Sequence, residues 1–98
     1  MAKTKFDGLI EAVRYTTAGQ IELVRFYERR GAAFSDHRLL TRAGLVERLQ
    51  NGQKFVTGQR REFWGNLFDI GQPVYQAGNF IATQPTASRD FLEAVPLF

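Results

Sequence analysis

Cysteine is absent from this chain, histidine occurs once and lysine three times. Without thiols there is no disulfide framework, no thiolate nucleophile and no cysteine-based zinc site. A single imidazole leaves little for proton relays or histidine metal sites. No stretch approaches the ~18 apolar residues of a membrane span, and no apolar run follows Lys3 and Lys5 as a secretory leader requires. Neither GxxxxGKS/T nor GxGxxG occurs, so a nucleotide-phosphate cradle is missing. The expectation is a cytoplasmic protein with no membrane segment, no metal or other cofactor, and no enzymatic activity.

What the chain does have is ten arginines and thirteen aromatic side chains in 98 residues. Arginine offers a planar fork for anions and a flat cation for stacking, and aromatic rings supply the complementary faces. The net charge is only +3, but it is unevenly spread. Residues 1–30 carry +2, residues 31–65 carry +3 and residues 66–98 carry −2. Any basic surface therefore comes from the first two thirds of the chain. Apolar residues are spread throughout, with no repeat or low-complexity tract, which points to a single domain over residues 1–98.

Residues 6–15 and 20–30 are rich in β-formers, and Thr16-Thr17-Ala18-Gly19 between them supplies a turn with a glycine where positive φ is wanted. This is a long hairpin. Its strands carry apolar groups on both faces, so either a bulge switches the face or both faces are covered, by barrel closure, by a helix or by another subunit. Residues 31–33 break the pattern and residues 34–40 read as extended or irregular. Thr41 is a fitting N-cap for a helix over residues 42–51, with Leu45, Val46 and Leu49 as its apolar stripe and Asn51-Gly52 as its stop.

Strand signals then recur at residues 54–59, 61–64, 67–70, 74–76 and 80–83. Gly65-Asn66 and Gly78-Asn79 supply hairpin turns, and Gly71-Gln72-Pro73 separates the two hairpins. Beyond Pro85 a short helical turn, capped by Ser88 and running to Glu93, precedes the apolar run Val95-Pro96-Leu97-Phe98. The expected fold is α+β and β-rich: a meander of about six short antiparallel strands, or a small closed barrel, with one central helix and a short C-terminal helical turn.

Candidate chemistry is sparse. Ser35-Asp36-His37 holds the components of a triad, but adjacent side chains diverge and cannot readily arrange one. The carboxylate pairs Asp7 with Glu11 and Asp90 with Glu93 read as solvated surface charge. The densest constellation is Arg60, Arg61 and Trp64 beside the Gly65-Asn66 turn, where a tryptophan at a hairpin tip can stack a base while arginines neutralise phosphates. In the competing reading Phe63, Trp64, Leu67 and Phe68 are core and the arginines reach past them to water. A second basic group is Arg25, Arg29 and Arg30, joined by Arg14 from the partner strand, with Glu22 and Glu28 as available partners. The leading expectation is a small non-enzymatic binding domain that takes nucleic acid through Arg25, Arg29, Arg30, Arg60, Arg61 and Trp64. The alternative is a protein-interaction or structural module, a homodimer formed through exposed strand faces or the apolar C-terminus.

Overall fold

The computed structural model describes residues 6–30, 33–34, 38–60, 68–77, 80–84, 89–93 and 95–98. In chain order the elements are β1 (Gly8–Tyr15), β2 (Ile21–Arg30), β3 (Ala33–Phe34), β4 (Arg38–Thr41), α1 (Arg42–Gln50), β5 (Phe55–Arg60), β6 (Phe68–Pro73), β7 (Tyr75–Ala77) and β8 (Phe80–Ala82). The β-rich α+β class holds, but the topology is not an antiparallel meander. The main sheet runs β3-β2-β1-β5-β6, with β4 pairing β2 further along the same edge as β3, and β7 and β8 form a separate two-stranded sheet. Among the described residues the main sheet stays open, with no closed barrel. Its centre is a parallel pair, with Gly8, Leu9 and Ile10 opposite Phe55, Val56 and Thr57.

The β1–β2 hairpin turns on Thr16, whose carbonyl accepts from Gly19 N–H and whose N–H donates to the Gln20 carbonyl. Gly19 has φ +86°, the left-handed region in which a side chain is strained. The pairing contains register shifts at Glu11, between Ile10 and Ala12, and at Glu22, opposite the Arg14 to Tyr15 step. The first is the face-switching bulge that two-faced apolar patterning calls for. It keeps Ile10 and Val13 on one face of the sheet while Leu9, Ala12 and Arg14 share the other.

Strands β4 and β5 run in the same direction, and α1 crosses between them over β2 and β1. Thr41 caps the helix by accepting from Gly44 N–H through Oγ1 at 3.2 Å, and Gly52 follows the C-cap Asn51 with φ +86°. Leu45 is fully buried and joins Ile10, Val13, Ile21, Val24, Phe26 and Phe55 in the main core, with Val46 and Leu49 packed at its margin. Burying such a leucine contributes about 1.5–3 kcal/mol, which anchors a helix too short to persist alone. On the opposite face Phe6, Leu9, Tyr27 and Val56 form a second buried cluster. The sheet is thus apolar on both sides near β1, within one chain.

Gly71-Gln72-Pro73 does not break the chain between hairpins; it belongs to edge strand β6. Between Val56 paired with Pro73 and Gly58 paired with Ile70, the partner strand holds one extra residue, and Thr57 Oγ1 fills the gap by accepting from Gln72 N–H at 2.9 Å. A proline at the end of an edge strand removes no ladder hydrogen bond that the sheet needs. Arg60 lies opposite Phe68, whereas an unbulged two-residue turn at 65–66 sets residue 63 opposite 68. The Gly65-Asn66 and Gly78-Asn79 turns, the strand expected at 61–64 and the Ser35-Asp36-His37 run lie outside the described residues.

The expected helical turn near the C-terminus is absent over the described residues 89–93. Phe91 instead forms a parallel bridge with Ala82, and its N–H donates to the Ile81 carbonyl. The reason is Asp90. Rather than being solvated, its carboxylate is fully enclosed, accepting from Ile21 N–H at 2.9 Å, Ile81 N–H at 3.0 Å and Arg42 Nε at 2.7 Å. One side chain thereby ties the starts of β2 and α1 to β8. Among the described residues no buried side-chain polar atom lacks a hydrogen-bond partner.

Candidate functional site

Of the sequence-predicted residues, Arg25 and Arg29 are fully described and share a face of β2 with Tyr27. Arg14 joins them. It stands opposite Leu23, two positions along β1 from the Ala12 and Arg25 pair, and so projects from the same side of the sheet. This is the side away from α1. Arg30 and Arg60 are described only as backbone, in the pairs Arg30 with Ala33 and Arg60 with Phe68, while Arg61 and Trp64 lie outside the described residues.

Each of the three arginines on this face is laid against an aromatic ring. The guanidinium carbons of Arg14 and Arg25 stand 4.9 Å and 5.2 Å from the centre of the Phe98 ring, and that of Arg29 stands 5.1 Å from the Phe6 ring. Such contacts are worth ~0.5–1 kcal/mol each at an exposed position. Arg14 and Arg25 are also fixed through Nε. Arg14 Nε donates to the Phe98 carbonyl at 3.1 Å, and Arg25 Nε donates to Glu11 Oε1 at 2.7 Å. The bulge at Glu11 sets that carboxylate beside Arg25; it is not Glu22 or Glu28 that pairs with it. Glu28 is engaged on the helix side by Arg48 at 3.2 Å and Arg38 at 3.9 Å.

The consequence is a pair of oriented guanidinium groups. Nε of each is committed to a protein oxygen, while the terminal amino groups of Arg14 and Arg25 have no hydrogen-bond partner among the described residues. Arg14 and Arg29 are exposed and the Arg25 side chain is 38 % exposed, whereas Glu11 is only 12 % exposed. Among the described ion pairs, the one acid held by these arginines is Glu11, through Arg25. Arg25 and Arg29 are four residues apart on one strand, a separation of about 13 Å at ~3.3 Å per residue.

Phe98 reaches this face because the C-terminal segment docks on its own domain. Val13 N–H donates to the Pro96 carbonyl at 2.9 Å, Phe98 N–H donates to the Val13 carbonyl at 3.2 Å, and Leu97 bridges Val13 in parallel. Val95 packs on the main core, but Leu97 is 70 % exposed. The apolar character of Val95, Leu97 and Phe98 calls for docking on their own domain or on a neighbour, and Val95 and Phe98 contact their own chain. The bulge residue Glu11 and the stacking partner Phe98 were not foreseen as parts of a site, since neither is near Arg25 in sequence.

A cleft of about 640 Å³ between the end of α1, the start of β5 and the β6–β7 corner is floored by Phe55 and Val74 and edged by Lys54 and Tyr75. Among the described residues no group of three or more His, Asp or Glu side chains is placed to share a metal ion, and no helix is long and apolar enough to cross a membrane. No protein-family model, curated protein or solved structure matches the chain.

Proposed function

We propose that this chain is a non-enzymatic binding domain for nucleic acid, acting through the arginine face of the β1–β2 hairpin. The observation that carries the reading is the placement of Arg14, Arg25 and Arg29 on one side of the sheet, each stacked on a ring, with the terminal amino groups of Arg14 and Arg25 unpartnered among the described residues. Oriented guanidinium groups meet phosphate oxygens with less loss of side-chain freedom than mobile ones. Arg30, beside Arg29 in sequence, and Arg60, Arg61 and Trp64, in and after β5, belong to the same proposal by residue type.

Fluorescence anisotropy of labelled mixed-sequence single-stranded RNA and DNA, titrated with protein at low and moderate salt, tests it. Salt-sensitive binding is expected at or below ~100 μM, the range of non-specific nucleic-acid binders. The Arg14→Ala/Arg25→Ala/Arg29→Ala triple variant should lose it. Absence of salt-sensitive binding by the parent protein, or full retention by a folded triple variant, overturns the reading.

A protein-interaction role has its own support in exposed apolar groups at both sheet edges, Leu39 in β4 at 58 % and Ile70 in β6 at 48 %. A homodimer built on those edges predicts a concentration-dependent mass by light scattering that Ile70→Lys and Leu39→Lys abolish. The C-terminal run favours this role less, because Val95 and Phe98 are engaged within the chain.

A further inference from the structure

We infer that the Phe98 ring occupies a stacking position that an unpaired nucleobase takes when nucleic acid binds, so that residues 96–98 form an internal competitor for the site. The inference rests on the nucleic-acid reading of the arginine face. It follows from what holds the ring. Phe98 is not a member of either buried core cluster; its described contacts are the guanidinium groups of Arg14 and Arg25 and hydrogen bonds to Val13 and Arg14. A flat ring against two cations whose terminal amino groups have no hydrogen-bond partner among the described residues is the arrangement an arginine-stacked base adopts, with phosphates on those amino groups.

The strap that delivers the ring is lightly fixed. Beyond Val95, Pro96 and Leu97 are exposed, and the backbone attachment to β1 is two hydrogen bonds to Val13, with Arg14 Nε adding a side-chain hydrogen bond to the Phe98 carbonyl. Lifting residues 96–98 uncovers both guanidinium faces without disturbing Leu45, Phe26 or Phe55. Arg14 Nε is released from the Phe98 carbonyl in the same motion, while Arg25 stays on Glu11. A base stacked inside a duplex cannot enter this position, so the opened site discriminates in favour of single strands. Arg29 stands on Phe6 and not on the strap, so lifting residues 96–98 leaves that contact in place.

The test compares the parent protein with Phe98→Ala and Arg14→Ala/Arg25→Ala, using a fluorescein-labelled ten-nucleotide oligothymidylate and the same strand annealed to its oligoadenylate complement. Phe98→Ala should bind the single strand roughly fivefold more tightly than the parent, the gain from no longer displacing two stacked cations, with duplex affinity unchanged. Equal or weaker single-strand binding by a folded Phe98→Ala overturns the competitor role and makes the ring a platform instead. Should Phe98→Ala fail to fold, hydrogen exchange on the parent decides: oligothymidylate should accelerate exchange of the Phe98 amide, and protection of that amide overturns the inference. Failure of the underlying reading looks different, because then neither the parent nor Phe98→Ala binds, or Arg14→Ala/Arg25→Ala binds as well as the parent.

Discussion

Arg42 and Asp90, 48 residues apart in sequence, meet with Nε 2.7 Å from Oδ2, and the Asp90 side chain is entirely enclosed while that of Arg42 is 27 % exposed. Removing the acid takes away the enclosed acceptor that Arg42 and two backbone donors share. Asp90→Ala should therefore cost about 3–5 kcal/mol, the usual consequence of breaking a buried pair from one side. Urea denaturation measures it. Val46→Ala, at the margin of the core, serves as the comparison and should cost less.

The same pair sets an acid limit. Burial pushes the Asp90 carboxyl up, but hydrogen bonds from Arg42, Ile21 and Ile81, with the charge of Arg42, outweigh it and hold the group below its ordinary value. A carboxyl depressed on folding contributes stability that is fully present above its unfolded pKa of ~3.9 and is lost as pH falls through its lower folded value. Thermal unfolding should show a steepening loss below about pH 4. In Asp90→Asn that acid-dependent component should be reduced, on a background of lower stability at neutral pH.

Hairpin and helix were legible in the sequence because their signals are local. Gly19 and Gly52 sit at the two positive-φ positions that the turn and the helix stop require, and Thr41 caps as its type and place suggest. Asp90 was not legible. As one acid near Glu93 on a polar tail it reads as surface charge, and only the arrival of Ile21, Arg42 and Ile81 from three other elements makes its burial favourable. Arg14 and Arg25 could be placed near each other from the hairpin alone, but the ring between them comes from residue 98.

Close approach at Gly8 gives a third expectation. It lies opposite Phe55 in the parallel pair, and a Cβ added there falls 2.5 Å from a ring carbon of that buried phenylalanine. Gly8→Ala should destabilise by roughly 1–3 kcal/mol through overpacking. Gly19→Ala, with open space around it but φ +86°, should cost about 1–2 kcal/mol through backbone strain alone. Adding Phe55→Leu should restore part of the Gly8→Ala loss and none of the Gly19→Ala loss, as chemical denaturation would reveal.

Arg29 offers a check on how the arginine face works. If it contacts phosphate, Arg29→Ala should weaken nucleic-acid binding equally across sequences and lower the slope of log affinity against log salt by about one. Anisotropy titrations at four salt concentrations resolve this. A sequence-dependent loss would assign it a base contact instead.

Strand β1 receives its second neighbour late. Along the edge away from β2, Gly8 to Ile10 wait for β5, with Asp7 and Lys54 hydrogen-bonded across 47 residues, and Val13 waits for residues 96–98. During synthesis the first hairpin therefore leaves the ribosome with apolar side chains on both faces and one backbone edge unmatched. Pairings this far apart close slowly. A nascent chain halted before residue 55 would present that unmatched edge to other copies or to chaperones.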